Sequence, residues 1–313
     1  MQVMRYGVSG MNENLIEIGK RITPNFLLPY AKRCLGLGSF ILNYPKILKI
    51  LLYYSSHKSD EDISKILTYL PKSGMQPFPY PWASIKEASS IKVFHDNEKK
   101  LPYVLLDEKK LYYPNDLTDN DIKNSYYFVQ KIEQHTLSPH RYLTPDFNVS
   151  EDDIVVDCGV AEGNFSLAIV EQVKKIYLFE PEERWMDPLK ATFTPWKNKI
   201  VIVQKYLSDI SNENTITLDD YFVGKESPTF CKMDVEGYEE RVLNGSKHLL
   251  ESEKLKKIVT CTYHYADAEE KLGNILDSYG YTITPSSGYM LFSMYDELKP
   301  PYFRRGLLRC VKQ

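Results

Sequence analysis

The sequence contains no Cys-x-x-Cys pair. Its five cysteines, Cys34, Cys158, Cys231, Cys261 and Cys310, are odd in number and far apart. That argues against a zinc cluster or a disulfide framework and for a reduced, cytoplasmic protein. Long uncharged apolar runs are missing too. The most apolar stretch, Leu35–Tyr54, is interrupted by Asn43, Pro45, Lys46 and Lys49, whereas a spanning helix needs about 20 nearly uncharged residues. A helix packed on the core is expected there, with a helix lying on the inner membrane surface as the alternative. The first residues lack an apolar core followed by a small-residue cleavage site, so no secretory signal is expected. Neither sign of charge dominates. With 39 Lys and Arg against 42 Asp and Glu, the net charge is −3, and the isoelectric point is near 6.1. Nothing drives the chain as a whole toward nucleic acid. Internal repeats and low-complexity tracts are also lacking. Hydrophobic residues make up 43% and charged residues 26%, values that exclude a disordered chain or a collagen-like fibre.

What is present suggests about two domains in 313 residues, at roughly 150 residues each. Residues 1–90 read as a mainly helical N-terminal region. Within it Ile63, Ile66, Leu67 and Leu70 share one helical face that Pro71 is expected to end. Pro77, Pro79 and Pro81 then form a hinge too proline-dense for a helix or an inner strand. Residues 91–145 read as a small β-rich lead-in, with two or three short strands up to residue 114 and a helix near Asp119–Glu133 capped by Asp119 or Asn120. Tyrosine is unusually common, at 24 residues. That number reflects either a base-composition bias of the gene or a polar-aromatic surface for sugars.

From about residue 146 to the end, strands and helices alternate. Apolar runs at 153–159, 175–181, 199–207, 229–237 and 257–264 are continuous rather than alternating, as expected of parallel strands covered on both faces. Helical stretches lie between most of them, which makes the fold class α/β with an open sheet. The string YTITPSSGYMLFSM reads as a terminal antiparallel hairpin turning at Pro285–Gly288.

Ligands of such sheets bind beyond the carboxyl ends of the strands, where strand order reverses. The first strand ends in DCGVAEG. Gly159 and Gly163 permit a tight turn, and Asp157 suits a cationic, amino-acid-like ligand better than a pyrophosphate. Glu180 ends the second strand, 23 residues on, where a carboxylate can pair with ribose hydroxyls. Asp234 and Glu236 end the fourth strand, and either capping of the next helix or service to a base, a metal or an ammonium group fits them. His264 ends the fifth. His140, Arg141 and Tyr142 precede the first strand, where they roof the ligand or pack as a loop. Arg304, Arg305, Arg309 and Lys312 make the chain's tail basic. A solvated end is expected there, with lipid phosphates as the alternative.

The strings VVDCGVAEGNFS, LFEPEE, TLDDY and KMDVEGYEERVLNG together resemble the FkbM family of S-adenosylmethionine-dependent methyltransferases over about residues 140–295. The resemblance implies a class I methyltransferase fold, a Rossmann-like seven-stranded sheet whose last strand is antiparallel. It also implies that Asp157, Gly159 and Gly163 line the methionine half of the cofactor, that Glu180 holds its ribose, and that Ser208 and Asp209 sit near its adenine. The chain departs from the family at Ala161-Glu162, where relatives carry Asn-Ile or Asn-x, and at Thr262, where many carry Glu.

Such an enzyme is expected to O-methylate a sugar hydroxyl of a surface polysaccharide or glycolipid precursor. A small natural product or amine is the alternative acceptor, and a non-catalytic glycan-binding protein on a decayed methyltransferase fold is a different class. His264 is the expected base, oriented by Asp234. Mg²⁺ held by Asp234, Glu236 and His264 is the rival arrangement. Residues 1–90 are expected to bind acceptor or to form a homo-oligomer.

Overall fold

In the computed structural model, the described residues are 37–83, 88–292 and 298–313. Cys34 and the N-terminal segment lie outside them. The chain divides into two compact units, Met1–Ser84 with Gly288–Arg304, and Ile85–Ser287 with Arg305–Gln313.

In the first unit, helix α1 (Leu37–Ser56) and helix α2 (Glu61–Ser73) bury Ile47, Ile50, Ile66 and Leu70 against Leu291, Tyr302 and Phe303. Asp60 caps α2 by accepting from the Ile63 N–H at 2.8 Å. Pro71 does not end this helix. It sits in the last turn, and Gly74, at φ 72°, ends it instead. No helix among the described residues is long and apolar enough to cross a membrane.

The second unit starts with an antiparallel sheet of β1 (Phe94–Asp96), β2 (Leu101–Leu106) and β3 (Lys109–Tyr112). Helix α3 (Asp119–Tyr127) follows. Its cap is Thr118, in a box with Asp121, one residue ahead of the expected position. A π-helical turn, Phe128–Glu133, extends it.

The main sheet comprises β4 (Ile154–Cys158), β5 (Lys175–Phe179), β6 (Ile200–Val203), β9 (Phe230–Met233), β10 (Lys257–Cys261), β11 (Tyr281–Pro285) and β14 (Leu307–Lys312). Their order is β11-β14-β10-β9-β4-β5-β6. Between β6 and β9 lie the short pair β7 (Tyr206–Leu207) and β8 (Thr215–Ile216), then helix α6 (Leu218–Phe222). The other connections carry α4 (Asn164–Ile169), α5 (Glu183–Phe193), α7 (Glu239–Asn244), α8 (Lys247–Glu251) and α9 (Ala268–Ser278). Successive side chains of each strand serve opposite faces. Val155, Ile176 and Phe230 therefore join one core, while Ile154, Val156, Tyr177 and Cys231 join the other. Double coverage is why the sequence runs are continuously apolar.

The seven-stranded sheet expected from the resemblance is present, with β14 antiparallel to both its neighbours. The antiparallel pair at the end of the chain does form, but its second arm is not residues 289–294. Of those, 289–292 belong to the first unit, where β12 (Met290–Leu291) pairs with β13 (Phe303–Arg304), and 293–294 lie outside the described residues. The partner of β11 is β14, the tail whose basic residues suggested a solvated end. Its cations meet carbonyls instead. The Arg309 guanidinium donates to the Tyr142 and Arg141 carbonyls, and the Lys312 ammonium donates to the Leu250 carbonyl at the end of α8.

Candidate active site

Strand order reverses between β4 and β9, and the chain's carboxylates gather at the carboxyl end of that pair. Gly159 ends β4 with φ +78°, and a Cβ there would lie 1.8 Å from the Asp234 carbonyl oxygen. Only glycine lets the two strands approach this closely. Gly163 opens α4 at φ +83°, and a Cβ would meet Leu189 and Phe193 of α5 at 2.9 and 3.1 Å. Both glycines thus shape the turn through packing.

Asp157 is fully buried and already committed. Its Oδ1 is 3.0 Å from the Lys232 ammonium, and its Oδ2 accepts from the Ser166 hydroxyl at 2.7 Å. Lys232 also donates to the Gly159 carbonyl at 2.6 Å. Burial opposes its charge, but Asp157 and Asp234 outweigh it and hold the ammonium above its usual range. Sequence reasoning gave Lys232 no role beyond its place in a motif. The geometry makes it the cation that pins the β4 turn to β9.

Asp234 is the centre of the next layer. Tyr142, which precedes β4 by 12 residues, donates to its Oδ2 at 2.7 Å, and the Tyr263 hydroxyl donates to Oδ1 at 3.3 Å. The ring nitrogens of His140 and His264 approach at 3.7 and 3.9 Å. Burial would raise the carboxyl of Asp234, yet Lys232, both histidines and the Tyr142 hydroxyl hold it well below the carboxylate range. His140 and Tyr142 therefore come to the site, whereas the Arg141 carbonyl turns to Arg309.

The two histidines differ in charge. Burial pulls His140 down to about 4, so it is neutral. Burial acts on His264 in the same direction, but Glu236 at 3.6 Å, Glu239 at 3.3 Å and Asp234 overcome it and push it up to about 10. In this arrangement His264 is an imidazolium at neutral pH rather than the neutral base expected. Glu239, which the sequence reading passed over, is its closest carboxylate and also accepts the Val235 N–H at 3.0 Å. One ligand atom each from Asp234, Glu239 and His264 lie within 4.8 Å of one another. Glu236, expected in a metal set, is 55% exposed at its side chain.

Glu180 ends β5 and is buried. Its Oε2 accepts the Ala161 N–H at 2.8 Å and its Oε1 the Glu182 N–H at 2.9 Å. Burial raises its carboxyl. Ser208 and Asp209 hydrogen-bond to each other at 3.0 Å, and the Ser208 N–H donates to Ile216. Among the described residues, no hydrogen bond links this pair to Asp157, Glu180 or Asp234.

No curated protein matches the chain significantly. A methyltransferase FkbM from Methylobacillus flagellatus is 14% identical with a TM-score of 0.45, and the match covers 87% of this chain. This chain spans 59% of that protein. A Streptococcus mutans protein described as a methyltransferase, in complex with S-adenosylhomocysteine, is 12% identical with a TM-score of 0.34, covering 53% of this chain and 91% of its own. An rRNA methylase from Streptococcus thermophilus is 19% identical with a TM-score of 0.32, covering 52% of this chain and 89% of its own. Residues 145–283, which span β4 to β10 of the main sheet, match the family model described as methyltransferase FkbM domain.

Proposed function

We propose that the chain O-methylates a sugar hydroxyl, in a surface polysaccharide or glycolipid precursor, with S-adenosylmethionine as donor. The observation that carries the cofactor reading is the set of buried carboxyls at the switch point of a sheet whose residues 145–283 match a methyltransferase domain. Buried carboxylates of this kind accept from an ammonium and offset the charge of a sulfonium. Glu180 has lone pairs left for ribose hydroxyls beside its two backbone partners. The bound cofactor supplies an electrophilic methyl group and a neutral thioether as leaving group.

Alignment of the acceptor oxygen with that methyl carbon provides much of the rate. Asp234 takes the acceptor's proton. It is a weak base, but the acceptor oxygen gains positive charge as the new bond forms, so a weak base suffices. His264, as imidazolium, and Tyr142 keep Asp234 ionised and oriented. A second reading rests on the compact Asp234, Glu239 and His264 group. It would hold Mg²⁺, with neutral His264 as a ligand and the metal polarising the acceptor hydroxyl. The reaction belongs in the cytoplasm or at the inner face of the membrane. The free thiols of Cys158, Cys231, Cys261 and Cys310 fit a reducing compartment.

Calorimetric titration with S-adenosylhomocysteine, with and without Mg²⁺, tests the cofactor. Transfer of labelled methyl to a glycan fraction tests the acceptor. Micromolar binding and alkali-stable label support the proposal; no binding in either condition points to a decayed fold. Labelled amine or small-molecule product points to the other acceptor classes. Loss of transfer in chelator, restored by Mg²⁺, selects the metal arrangement.

A further inference from the structure

Glu162 lies in the turn after β4, at a position where the sequence reading noted only a departure from the family. It is 3% exposed, and its Oε1 is buried with no hydrogen-bond partner. A buried carboxylate oxygen left alone is unfavourable. Ala161, just before it, adds to the cost of the turn with φ +48°, uncommon for a residue with a Cβ. The same turn docks on the cofactor crevice, because the Ala161 N–H donates to Glu180. The groups that face the Glu162 carboxyl are Lys232, Glu180, Asp234, Glu133 and Tyr113. The Tyr113 hydroxyl is itself buried without a partner. Two uncommitted polar atoms therefore lie deep in a turn that the fold strains to form.

We infer that Glu162 receives the α-ammonium of the methionine half of the cofactor, and that Asp157 does not. This rests on the proposal that the crevice binds S-adenosylmethionine. An ammonium needs an acceptor with a free lone pair. Neither Oδ1 of Asp157 nor Oε1 of Glu162 accepts a hydrogen bond, but Oδ1 is ion-paired with the Lys232 ammonium at 3.0 Å and Oδ2 accepts from Ser166, so the charge of Asp157 is already balanced and that of Glu162 is not. Burial has also pushed Glu162 up to about 7, so an arriving cation finds a carboxyl that ionises readily at neutral pH. Selectivity follows for ligands that keep the amine over ligands that lack it.

The test is calorimetry on the full chain with three ligands. S-adenosylhomocysteine carries the ammonium and the carboxylate, its decarboxylated analogue carries the ammonium alone, and 5′-methylthioadenosine carries neither. Glu162→Gln is expected to weaken the first two by roughly tenfold to a hundredfold, the range for loss of a charge-assisted hydrogen bond. It should leave the third within about twofold. Glu162→Ile, which restores an apolar side chain, should behave alike and guards against a variant that fails to fold. Equal losses for all three ligands, or no loss for either amine, would overturn the inference while wild-type binding still upholds the cofactor reading. A wild type that binds none of the three overturns both.

Discussion

Replacing Glu162 by Gln should stabilise the ligand-free protein, and more so as pH rises. The unfolded chain loses this proton near the ordinary glutamate value of 4.5, and the folded protein loses it at about 7. A carboxyl raised on folding costs nothing below the unfolded value. Its penalty grows between 4.5 and 7, and is constant above. At about 1.36 kcal/mol per pH unit the full penalty at pH 8 is about 3 kcal/mol, of which about 2.5 kcal/mol develops between pH 5 and pH 8. Gln keeps the shape and cannot ionise. The stability difference between variant and wild type should therefore widen by that amount over the same interval, on top of a constant offset from burying an amide. Urea unfolding followed by circular dichroism at pH 5 and pH 8 reads it directly. A difference independent of pH, or one that shrinks toward pH 8, would show that the Glu162 carboxyl is not desolvated and would remove the physical basis of its proposed role. Saturating S-adenosylhomocysteine should oppose the gain, since it stabilises the wild type in proportion to its tighter binding.

Three further outcomes follow from the same geometry. Lys232→Ala leaves the fully buried Asp157 uncompensated and should cost about 3–5 kcal/mol in urea unfolding; the Lys232→Ala, Asp157→Asn double variant should recover part of that, and a loss equal to the sum of the singles would refute the pairing. Tyr142→Phe removes a 2.7 Å donation to Asp234, worth roughly 1.5–3 kcal/mol for an ionised acceptor. The carboxyl of Asp234 is depressed on folding, so it lends stability above the unfolded value that is lost as pH falls. The variant should therefore show acid unfolding at a higher pH, and an unchanged acid limb would contradict the bond. Deleting residues 307–313 removes β14 from between β10 and β11 and should abolish cooperative unfolding of the second unit, whereas a solvated tail would leave it intact.

Much of the fold was legible because burial on both faces leaves a local trace. Continuous apolar runs marked the starts of β4, β5, β9 and β10 within a residue, though the runs at 229–237 and 257–264 reach three or four residues past the ends of β9 and β10, and the acids there mark the carboxyl edge of the sheet. The Lys-x-Asp-x-Glu-Gly string from Lys232 to Gly237 carries the resemblance without showing what its lysine does. The second arm of the terminal pair was misplaced because residues 289–294 are as apolar as a strand. Only the pairing of Met290–Leu291 with Phe303–Arg304 in the other unit reveals that β11 takes Leu307–Lys312 as its partner.

The site divides in the same way. Sequence by itself determined the residue types at the strand ends, the two turn glycines and the α/β alternation, since each depends on neighbours along the chain. Tertiary structure decided which of those residues are free to act. Asp157 is silenced by a lysine 75 residues away, and Asp234 is held ionised by a tyrosine 92 residues before it. His264 is charged by Glu239 from the helix that follows the neighbouring strand, and Oε1 of Glu162 is left without a hydrogen-bond partner in a strained turn. Protonation states and spare lone pairs depend on distances through space in a low-dielectric interior, and no spacing along the chain encodes those distances.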